Sequence, residues 1–302
     1  MSRVLVLGTN GMLGAMIADI LAQSREHDLT LTRRNPDHEP PSGPARTCRC
    51  LPFDAEKSPE AIEEILAQGF DWIVNAIGVI KPFIKDTDPS QIERAVRVNA
   101  LFPLSLARAA ERHGSRVLQI ATDCVYSGRK GLYAEEDAHD ALDTYGKTKS
   151  LGEVPSPAVS HIRCSIIGPE MKGHLSLLAW FLGQPPAARL TGYVNHHWNG
   201  ITTYHFARIC HGIIRTGLVM PGLIHVIPDG IVTKAEMLEG FANAYGRNDL
   251  NIQPGEAPVV IDRTLTTSHP DLNLSLWSSA GYSAPPNFRQ MMEELSHHPF
   301  NQ

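Results

Sequence analysis

The sequence predicts an α/β fold: a doubly wound parallel sheet followed by a smaller, less regular C-terminal domain. Over the first 168 residues, short β-branched runs alternate with helix-like stretches, as in parallel strands joined by crossover helices. The strand candidates are continuously apolar, as strands covered on both faces require. Beyond residue 168 the alternation fades. We therefore predict one domain over 1–168 and a second over 169–302, partly interleaved with the first.

The elements are predicted in chain order. The first domain has six strand candidates, at 4–7, 29–31, 50–53, 72–77, 117–121 and 161–167. The stretches between them predict helices at 12–22, 59–68, 89–113 and 145–153. In the second domain the sequence predicts strands at 223–227 and 257–261 and helices at 233–245 and 286–296.

Composition excludes several classes of protein. The chain has 302 residues, of which 42% are hydrophobic and 20% charged, which is too apolar for a disordered chain. No apolar run approaches the ~18 residues of a membrane helix, and no export signal is visible at the N-terminus. A net charge of −5 argues against a broad nucleic-acid or membrane surface. Five cysteines form no disulfide framework, so we expect reduced thiols and a cytoplasmic location.

A glycine-rich turn directly follows the first strand candidate and opens the first helix. Gly8 permits the tight turn, Gly11 lets phosphates approach the backbone, and Gly14 lets the helix pack closely on the sheet. Such a turn directs backbone N–H groups and a helix N-terminus at a pyrophosphate. This predicts a dinucleotide-binding loop of the Rossmann type, with cofactor contacts at Gly8, Asn10, Gly11, Met12 and Leu13.

The end of the second strand indicates which dinucleotide binds. Folds selective for NAD place an acidic residue there, whereas this strand is followed by Arg33 and Arg34. Two guanidinium groups suit a 2′-phosphate, although either could be a solvated surface arginine. We predict NADPH, with NADH as the alternative. Asp54, after the third strand, is a candidate acceptor for the adenine amino group.

A Tyr-x-x-x-Lys pair, Tyr145 and Lys149, opens a helix-compatible stretch. Residues four apart face each other only on a helix, so the second such pair, Tyr126 and Lys130, is the weaker candidate because it runs through a glycine-containing loop. Reducing a ketone requires a proton for the developing alkoxide, and a phenol can donate it. A neighbouring lysine cation should lower the pKa of the phenol from ~10 and hydrogen-bond the cofactor's ribose. Thr122, at the end of a strand candidate, is placed to orient the carbonyl.

Together these residues resemble the short-chain dehydrogenase/reductase superfamily, in its extended branch acting on nucleotide sugars, and within it the dTDP-4-dehydrorhamnose reductases. The resemblance is specific over 1–168 and weaker beyond. The matching segments are the glycine-rich turn, Asn75-Ala76-Ile77-Gly78, Asn99, 121–128, Tyr145-Gly146-Lys147-Thr148-Lys149 with Gly152-Glu153, Arg163-Cys164-Ser165 and the 199–203 loop.

The resemblance implies an oxidoreductase that reduces the 4-keto group of a nucleoside-diphosphate 4-keto-6-deoxyhexose. It implies Tyr145 as the acid, Lys149 as its partner and Thr122 as the carbonyl binder. It further implies cofactor contacts at Ala76, Ile77 and Gly78, a structural or proton-relay role for Asn99, and a nucleotide-sugar partner. The domain over 1–168 would bind the cofactor and carry the catalytic residues, and the domain over 169–302 would bind substrate. A homodimer is a further, open expectation.

One departure from the family concerns Asp123-Cys124. Relatives that carry out 4,6-dehydration have an Asp-Glu pair here, and a thiol cannot easily replace the glutamate, so a plain reductase is favoured over a dehydratase. A cysteine resembles the epimerase-reductases in which it acts as an acid, but free cysteine is also a common buried filler. We predict substrate contacts at Thr122, Asp123, Cys124, Tyr145, Trp198 and Asn199.

A non-enzymatic function is a further alternative. Some proteins of this fold bind the dinucleotide but serve as regulatory subunits, as the methionine adenosyltransferase regulatory subunit does. Such proteins need not retain a Tyr–Lys pair, which this chain has.

The adjacent His196 and His197 point in different directions and lack a spaced carboxylate, so we predict no metal site.

Overall fold

The computed structural model describes residues 1–35, 43–170 and 176–299. Its strands are β1 (Ser2–Leu7), β2 (His27–Arg33), β3 (Arg49–Pro52), β4 (Trp72–Asn75), β5 (Arg116–Thr122), β6 (Val159–Cys164), β7 (Ile166–Ile167), β8 (Arg189–Tyr193), β9 (His197–Trp198), β10 (Ile201–Thr202), β11 (Leu223–His225), β12 (Val232–Thr233) and β13 (Asn251–Gly255). The α-helices are α1 (Met12–Ser24), α2 (Ile62–Leu66), α3 (Pro89–Val96), α4 (Phe102–His113), α5 (Thr144–Leu151), α6 (Leu177–Leu182), α7 (Thr203–Thr216), α8 (Lys234–Tyr245), α9 (Pro270–Ser279) and α10 (Phe288–His297).

The central sheet has seven parallel strands in the order β3-β2-β1-β4-β5-β6-β11. The direction of winding reverses between β1 and β4, which opens a crevice at the carboxyl ends of these strands. Ligands of open α/β sheets bind in such crevices. The predicted doubly wound α/β fold is confirmed.

Helices cover the sheet on both faces, and β1 shows why. Val4 and Val6 face one apolar core, together with α1 and α7, whereas Leu5 and Leu7 face the other, with α2 and α4. Successive strand residues point to opposite faces, so a strand buried on both sides must be apolar throughout. Because α7 comes from the second half of the chain, both halves contribute to the first core.

The second half supplies a strand to this same sheet. The predicted strand at 223–227 forms as β11, and it pairs with β6, with Ile224 opposite Ile162. The predicted strand at 257–261 is wrong. The chain is extended earlier, at β13, which pairs with β8, while Val259 and Val260 are largely exposed and so gain nothing from a sheet. The boundary at residue 168 stays a prediction.

The predicted helix at 89–113 is interrupted. α3 and α4 are separated by a π-helical segment, Arg97–Leu101, and Pro103 is the second residue of α4. Proline has no N–H to bond a carbonyl one turn earlier, so the local widening is physically expected. Within the described ranges, no helix is both long and apolar enough to cross a bilayer.

Candidate active site

The glycine-rich turn and the loop after β4 meet at the crevice. Gly8 has a φ of +86°, and a Cβ there would lie 2.9 Å from Ile77 Cγ1. A Cβ on Gly14 would lie 2.3 Å from the carbonyl oxygen of Gly8, so only glycine lets α1 approach the strand this closely. Gly11 begins α1 without a side-chain cap, and the first turn has no acidic residue. The helix N-terminus is therefore suited to an anion.

The other predicted residues of the turn differ in exposure. Asn10 and Gly11 are exposed and Met12 is partly buried, whereas the side chain of Leu13 lies in the core. Any contact from Leu13 would therefore come from its backbone. Ala76 and Ile77 are partly buried and Gly78 is exposed at the end of β4. The chain thus presents a backbone cradle of the kind a dinucleotide pyrophosphate occupies.

The two arginines after Thr32 lie in different environments. Arg33, the last residue of β2, is buried and lies close enough to the Cys50 thiol to lower the pKa of that thiol, partly offsetting the effect of burial. Arg34 is exposed. Asp54 is partly buried, and its carboxylate accepts a hydrogen bond from Glu56 N at 3.0 Å. Their cofactor roles stay predictions.

Tyr145 and Thr122 come together at the carboxyl end of β5. Burial raises the pKa of Tyr145, and the neighbouring Cys124 and Asp123 raise it further, whereas the nearby Thr122 hydroxyl acts to lower it. The phenol is therefore protonated at neutral pH, which is the state a proton donor needs. Thr122 Oγ1 also donates to Asp123 Oδ1 at 3.2 Å and accepts from Cys124 N at 3.2 Å.

Glycine at position 146 sets how close Tyr145 comes to this strand end. A Cβ on Gly146 would lie 2.5 Å from Cys124 O and 2.4 Å from Ala141 Cβ. The first turn of α5 therefore packs directly on the backbone after Thr122. Asp143 caps the helix by accepting from Gly146 N at 2.8 Å, and Lys81 Nζ lies 2.6 Å from Asp143 Oδ2.

Lys149 lies one turn after Tyr145, but its ammonium group contacts the strand. Lys149 Nζ donates to Ile120 O at 2.9 Å, and burial lowers the pKa of Lys149 to about 8. The expected lowering of the Tyr145 pKa by Lys149 is not found, because the ammonium group is bonded to Ile120 O and is not among the main groups that act on the phenol. The pair does lie on a helix, whereas Tyr126 and Lys130 lie in a loop.

Asn99 connects the loop after β4 to α5. Its Oδ1 accepts from Val79 N at 2.8 Å, and its Nδ2 donates to Val79 O at 3.0 Å and to Thr148 Oγ1 at 3.3 Å. It lies in the π-helical segment, and such segments occur often at functional sites. The contacts give Asn99 a structural role, since it fixes both elements beside the crevice.

Two cations that the sequence analysis missed lie close to Asp123 and Cys124. Burial raises the pKa of Asp123, and the positive charges of Arg263 and Lys234 oppose this rise. Burial and the Asp123 carboxylate raise the pKa of Cys124 to about 12, so its thiol is neutral. Lys234 and Arg263 carry no recognisable motif, and only the tertiary fold brings them to the site.

The remaining predicted substrate residues have intramolecular partners. Trp198 is buried against Phe288, with ring centroids 5.7 Å apart, and its Nε1 donates to Ser165 Oγ at 2.9 Å. Asn199 bridges to the backbone of Leu265 through both ends of its amide, at 2.7 and 2.9 Å. Their substrate roles stay predictions.

Arg163, from the matching Arg-Cys-Ser segment, is fully buried away from solvent. Its guanidinium donates to Tyr126 Oη at 2.7 Å and contacts Glu153, His139 and His225. Tyr126 also stacks on Tyr133, with centroids 4.2 Å apart. This network holds the loop after Thr122 against the second half of the chain.

Comparison with known proteins identifies the family. The model of the RmlD substrate binding domain family matches residues 2–166, more than half of the 302 residues. The chain belongs to this family. The resemblance predicted from the glycine-rich turn and the Tyr145–Lys149 pair is thereby confirmed.

Individual relatives extend the RmlD family comparison. A dTDP-4-dehydrorhamnose reductase of Aggregatibacter actinomycetemcomitans is 28% identical over 163 residues, which is 51% of this chain and 46% of that protein. The match thus spans less than half of that relative. The β subunit of methionine adenosyltransferase 2 from Mus musculus is 23% identical over 85% of this chain and 77% of that protein. A dTDP-4-dehydrorhamnose reductase structure from Bacillus anthracis, in complex with NADP, is 17% identical with a TM-score of 0.70, covering 97% of this chain and 98% of that one, and shows likeness in fold.

Proposed function

We propose that this RmlD family member is an NADPH-dependent reductase of the 4-keto group of a nucleoside-diphosphate 4-keto-6-deoxyhexose. One observation carries the proposal: the protonated Tyr145 phenol lies close to Thr122 at the carboxyl end of β5, and the backbone cradle lies at the carboxyl ends of the neighbouring strands. The two named reductase relatives, one of them solved with NADP, support the same reaction.

The chain's residues divide the work of such a reduction. Bound NADPH supplies the hydride. Thr122 and Tyr145 hold the carbonyl oxygen between two hydroxyl groups, which stabilise the negative charge that develops there. Tyr145 Oη then donates its proton to that oxygen. Gly8, Gly11 and the N-terminus of α1 hold the pyrophosphate, and Arg33 and Arg34 favour a 2′-phosphate.

Lys149 has two contributions in this proposal. Its ammonium, held by Ile120 O, lies on the side of α5 that faces the strand, where it can hydrogen-bond the ribose of the bound cofactor. By bonding Ile120 O, it also ties α5, which carries Tyr145, to β5, which carries Thr122. Lys234 and Arg263 are additional candidates for holding an anionic part of the substrate, because both act on Asp123 at the same strand end.

Measuring NADPH consumption with a panel of 4-keto-6-deoxy nucleotide sugars tests the proposal, with product configuration read by NMR. We expect turnover with one member of the panel and a loss of at least about 100-fold in kcat for Tyr145→Phe. Tyr193→Phe, at a partly exposed tyrosine, is the matched control and should retain wild-type activity. If Tyr145→Phe is folded and keeps more than about a tenth of wild-type turnover, Tyr145 is not the general acid.

The same assays separate the two alternatives. An epimerase-reductase that uses Cys124 as an acid would incorporate solvent deuterium at ring carbon C3 or C5, whereas a plain reductase incorporates none. A regulatory subunit would bind NADPH, consume none of it with any sugar, and copurify with a stoichiometric enzyme partner. The similarity to the methionine adenosyltransferase subunit is the reason to include the copurification test.

Assembly and location complete the proposal. The free state of all five cysteines supports a cytoplasmic location, because thiols remain reduced there. A homodimer is proposed as the assembly. Sedimentation equilibrium distinguishes it from a monomer, and fractionation of cells that express the tagged protein tests the location.

A further inference from the structure

At the amino ends of the parallel strands, the fold brings together three side chains with no part in the proposed reaction. Glu26 and His27 lie where the turn after α1 enters β2, and His211 lies on α7, which packs against α1. One potential ligand atom from each residue lies within 4.8 Å of the others, and Glu26 Oε2 lies 3.6 Å from His211 Nε2. The prediction of no metal site rested on His196 and His197 and did not consider these three residues, of which His211 is distant in sequence from the other two.

The histidine nitrogens at this place lack hydrogen-bond partners. His27 is buried, and neither Nδ1 nor Nε2 of its ring has a partner among the described residues. His211 Nε2 is buried as well and faces the Glu26 carboxylate at 3.6 Å, beyond hydrogen-bond distance, and the two rings meet edge to face with centroids 5.4 Å apart. A buried imidazole without a hydrogen-bond partner is unfavourable, so His27, with one nitrogen near His211 and the Glu26 carboxylate, is suited to binding a ligand there.

We propose that Glu26, His27 and His211 bind a divalent transition-metal ion, with Zn²⁺ as the fitting example. Two imidazoles and one carboxylate form a known zinc ligand set, in which water completes the tetrahedron. Ligand atoms around zinc are about 3.4 Å apart, so the Glu26–His211 pair is near this spacing, and the other pairs need to close by at most about 1.5 Å.

The surroundings allow an ion to enter and be held. The side chain of Glu26 is 48% exposed, so it can move and leaves a route from solvent, while His27 supplies the buried ligand. The N-terminal amine acts on His27 and Arg215 acts on His211, and both oppose a cation. The Arg215 guanidinium is engaged with Ser279 O at 3.1 Å, and the Glu26 carboxylate offsets the positive charges.

A bound ion would join α7 to the turn between α1 and β2. The ion would lie at the amino ends of the strands, whereas Thr122 lies at a carboxyl end, so its role would be structural. Zinc that binds only the folded chain raises stability by mass action. At a zinc concentration about 100-fold above Kd, we expect Tm to rise by about 5 °C.

The test uses the full, tag-free chain treated with EDTA and then freed of chelator. Isothermal titration with ZnCl₂ should show one equivalent bound with a Kd of about 1 µM or below. Co²⁺ should give the intense visible absorption of a tetrahedral site. His211→Asn should weaken binding at least about 100-fold and Glu26→Gln at least about 10-fold, and both should abolish the rise in Tm.

His113→Asn is the matched control, because His113 Nε2 lies 3.0 Å from Glu63 in a pair on the surface. It should leave binding unchanged. The absence of saturable binding below about 100 µM, or equal weakening by His113→Asn, overturns the proposal. Circular dichroism without zinc checks folding, and Glu26→Gln decides the matter if His211→Asn is unfolded. NADPH binding by Glu26→Gln should match wild type, so failure here leaves the proposed reductase activity untouched.

Discussion

Gly146→Ala tests whether the position of α5 controls catalysis. The added Cβ would lie 2.5 Å from Cys124 O, whereas ordinary van der Waals contact begins near 3.4 Å. The first turn of α5, which carries Tyr145, must therefore retreat by about 0.9 Å from the strand that carries Thr122. A misplacement of about 1 Å in a catalytic group can reduce the rate about 100-fold. We expect kcat to fall by about that factor, while the Kd for NADPH changes less than about threefold.

Steady-state kinetics and a fluorescence titration with NADPH measure these two quantities. Gly222→Ala is the matched control, because a Cβ at Gly222 meets nothing within 4 Å and its backbone has an ordinary φ. It should retain wild-type kcat. If Gly146→Ala is folded and keeps more than about a third of wild-type kcat, the close contact with Cys124 does not position Tyr145, and the reasoning fails.

Three other predictions follow from the same contacts. Thr122→Val removes one hydroxyl from the carbonyl site, and we expect kcat/KM to fall about 10- to 100-fold in steady-state assays. The loss of the bonds to Asp123 and Cys124 N should also cost about 1–3 kcal/mol in urea unfolding. Burial lowers the pKa of Lys149 from 10.5 to about 8, which corresponds to about 3 kcal/mol of destabilisation at pH 7. Lys149→Met should therefore abolish activity yet stabilise the ligand-free chain by about 1–2 kcal/mol in urea titrations at pH 7. The unfolded chain keeps the Lys149 proton up to a higher pH than the folded chain, so wild type gains stability as the pH rises from 8 to 10.5. The extra stability of Lys149→Met over wild type should therefore disappear across this pH range. A stability difference that does not change with pH contradicts the assignment. Glu153→Gln leaves the buried Arg163 guanidinium without its carboxylate and should cost about 3 kcal/mol in urea unfolding, whereas Glu63→Gln, in an exposed pair with Arg112, should cost under about 1 kcal/mol.

Much of the fold could be predicted because its signals are local. The continuous apolar runs predict strands buried on both faces, and the turn around Gly8 and Gly11 predicts both the strand end and the helix start. The Tyr145–Lys149 spacing has meaning only on a helix, and α5 provides one. The interruption before Pro103 could also have been predicted, since proline removes a backbone donor.

The predictions that the structure corrects, and the residues that the sequence did not reveal, depend on tertiary contacts. The 257–261 stretch is rich in β-branched residues but pairs with no strand that the structure describes, whereas β13 contains Pro254 and still pairs with β8. From the sequence, Lys149 was expected to lower the pKa of Tyr145, but burial raises that pKa and Lys149 is not among the main groups that act on it. Lys234 and Arg263 lie near Asp123 only because two segments from the second half of the chain pack against the carboxyl end of β5.

The pairing of β11 with β6 has a consequence for how the chain could evolve or be divided. A fragment that ends at residue 168 would keep the nucleotide cradle and Tyr145 but would expose the outer backbone groups of β6 as an open edge. Such edges recruit strands from other molecules. Dividing the chain at this predicted boundary would therefore yield a fragment prone to strand pairing with other molecules, and β11 protects the edge of β6 from such pairing.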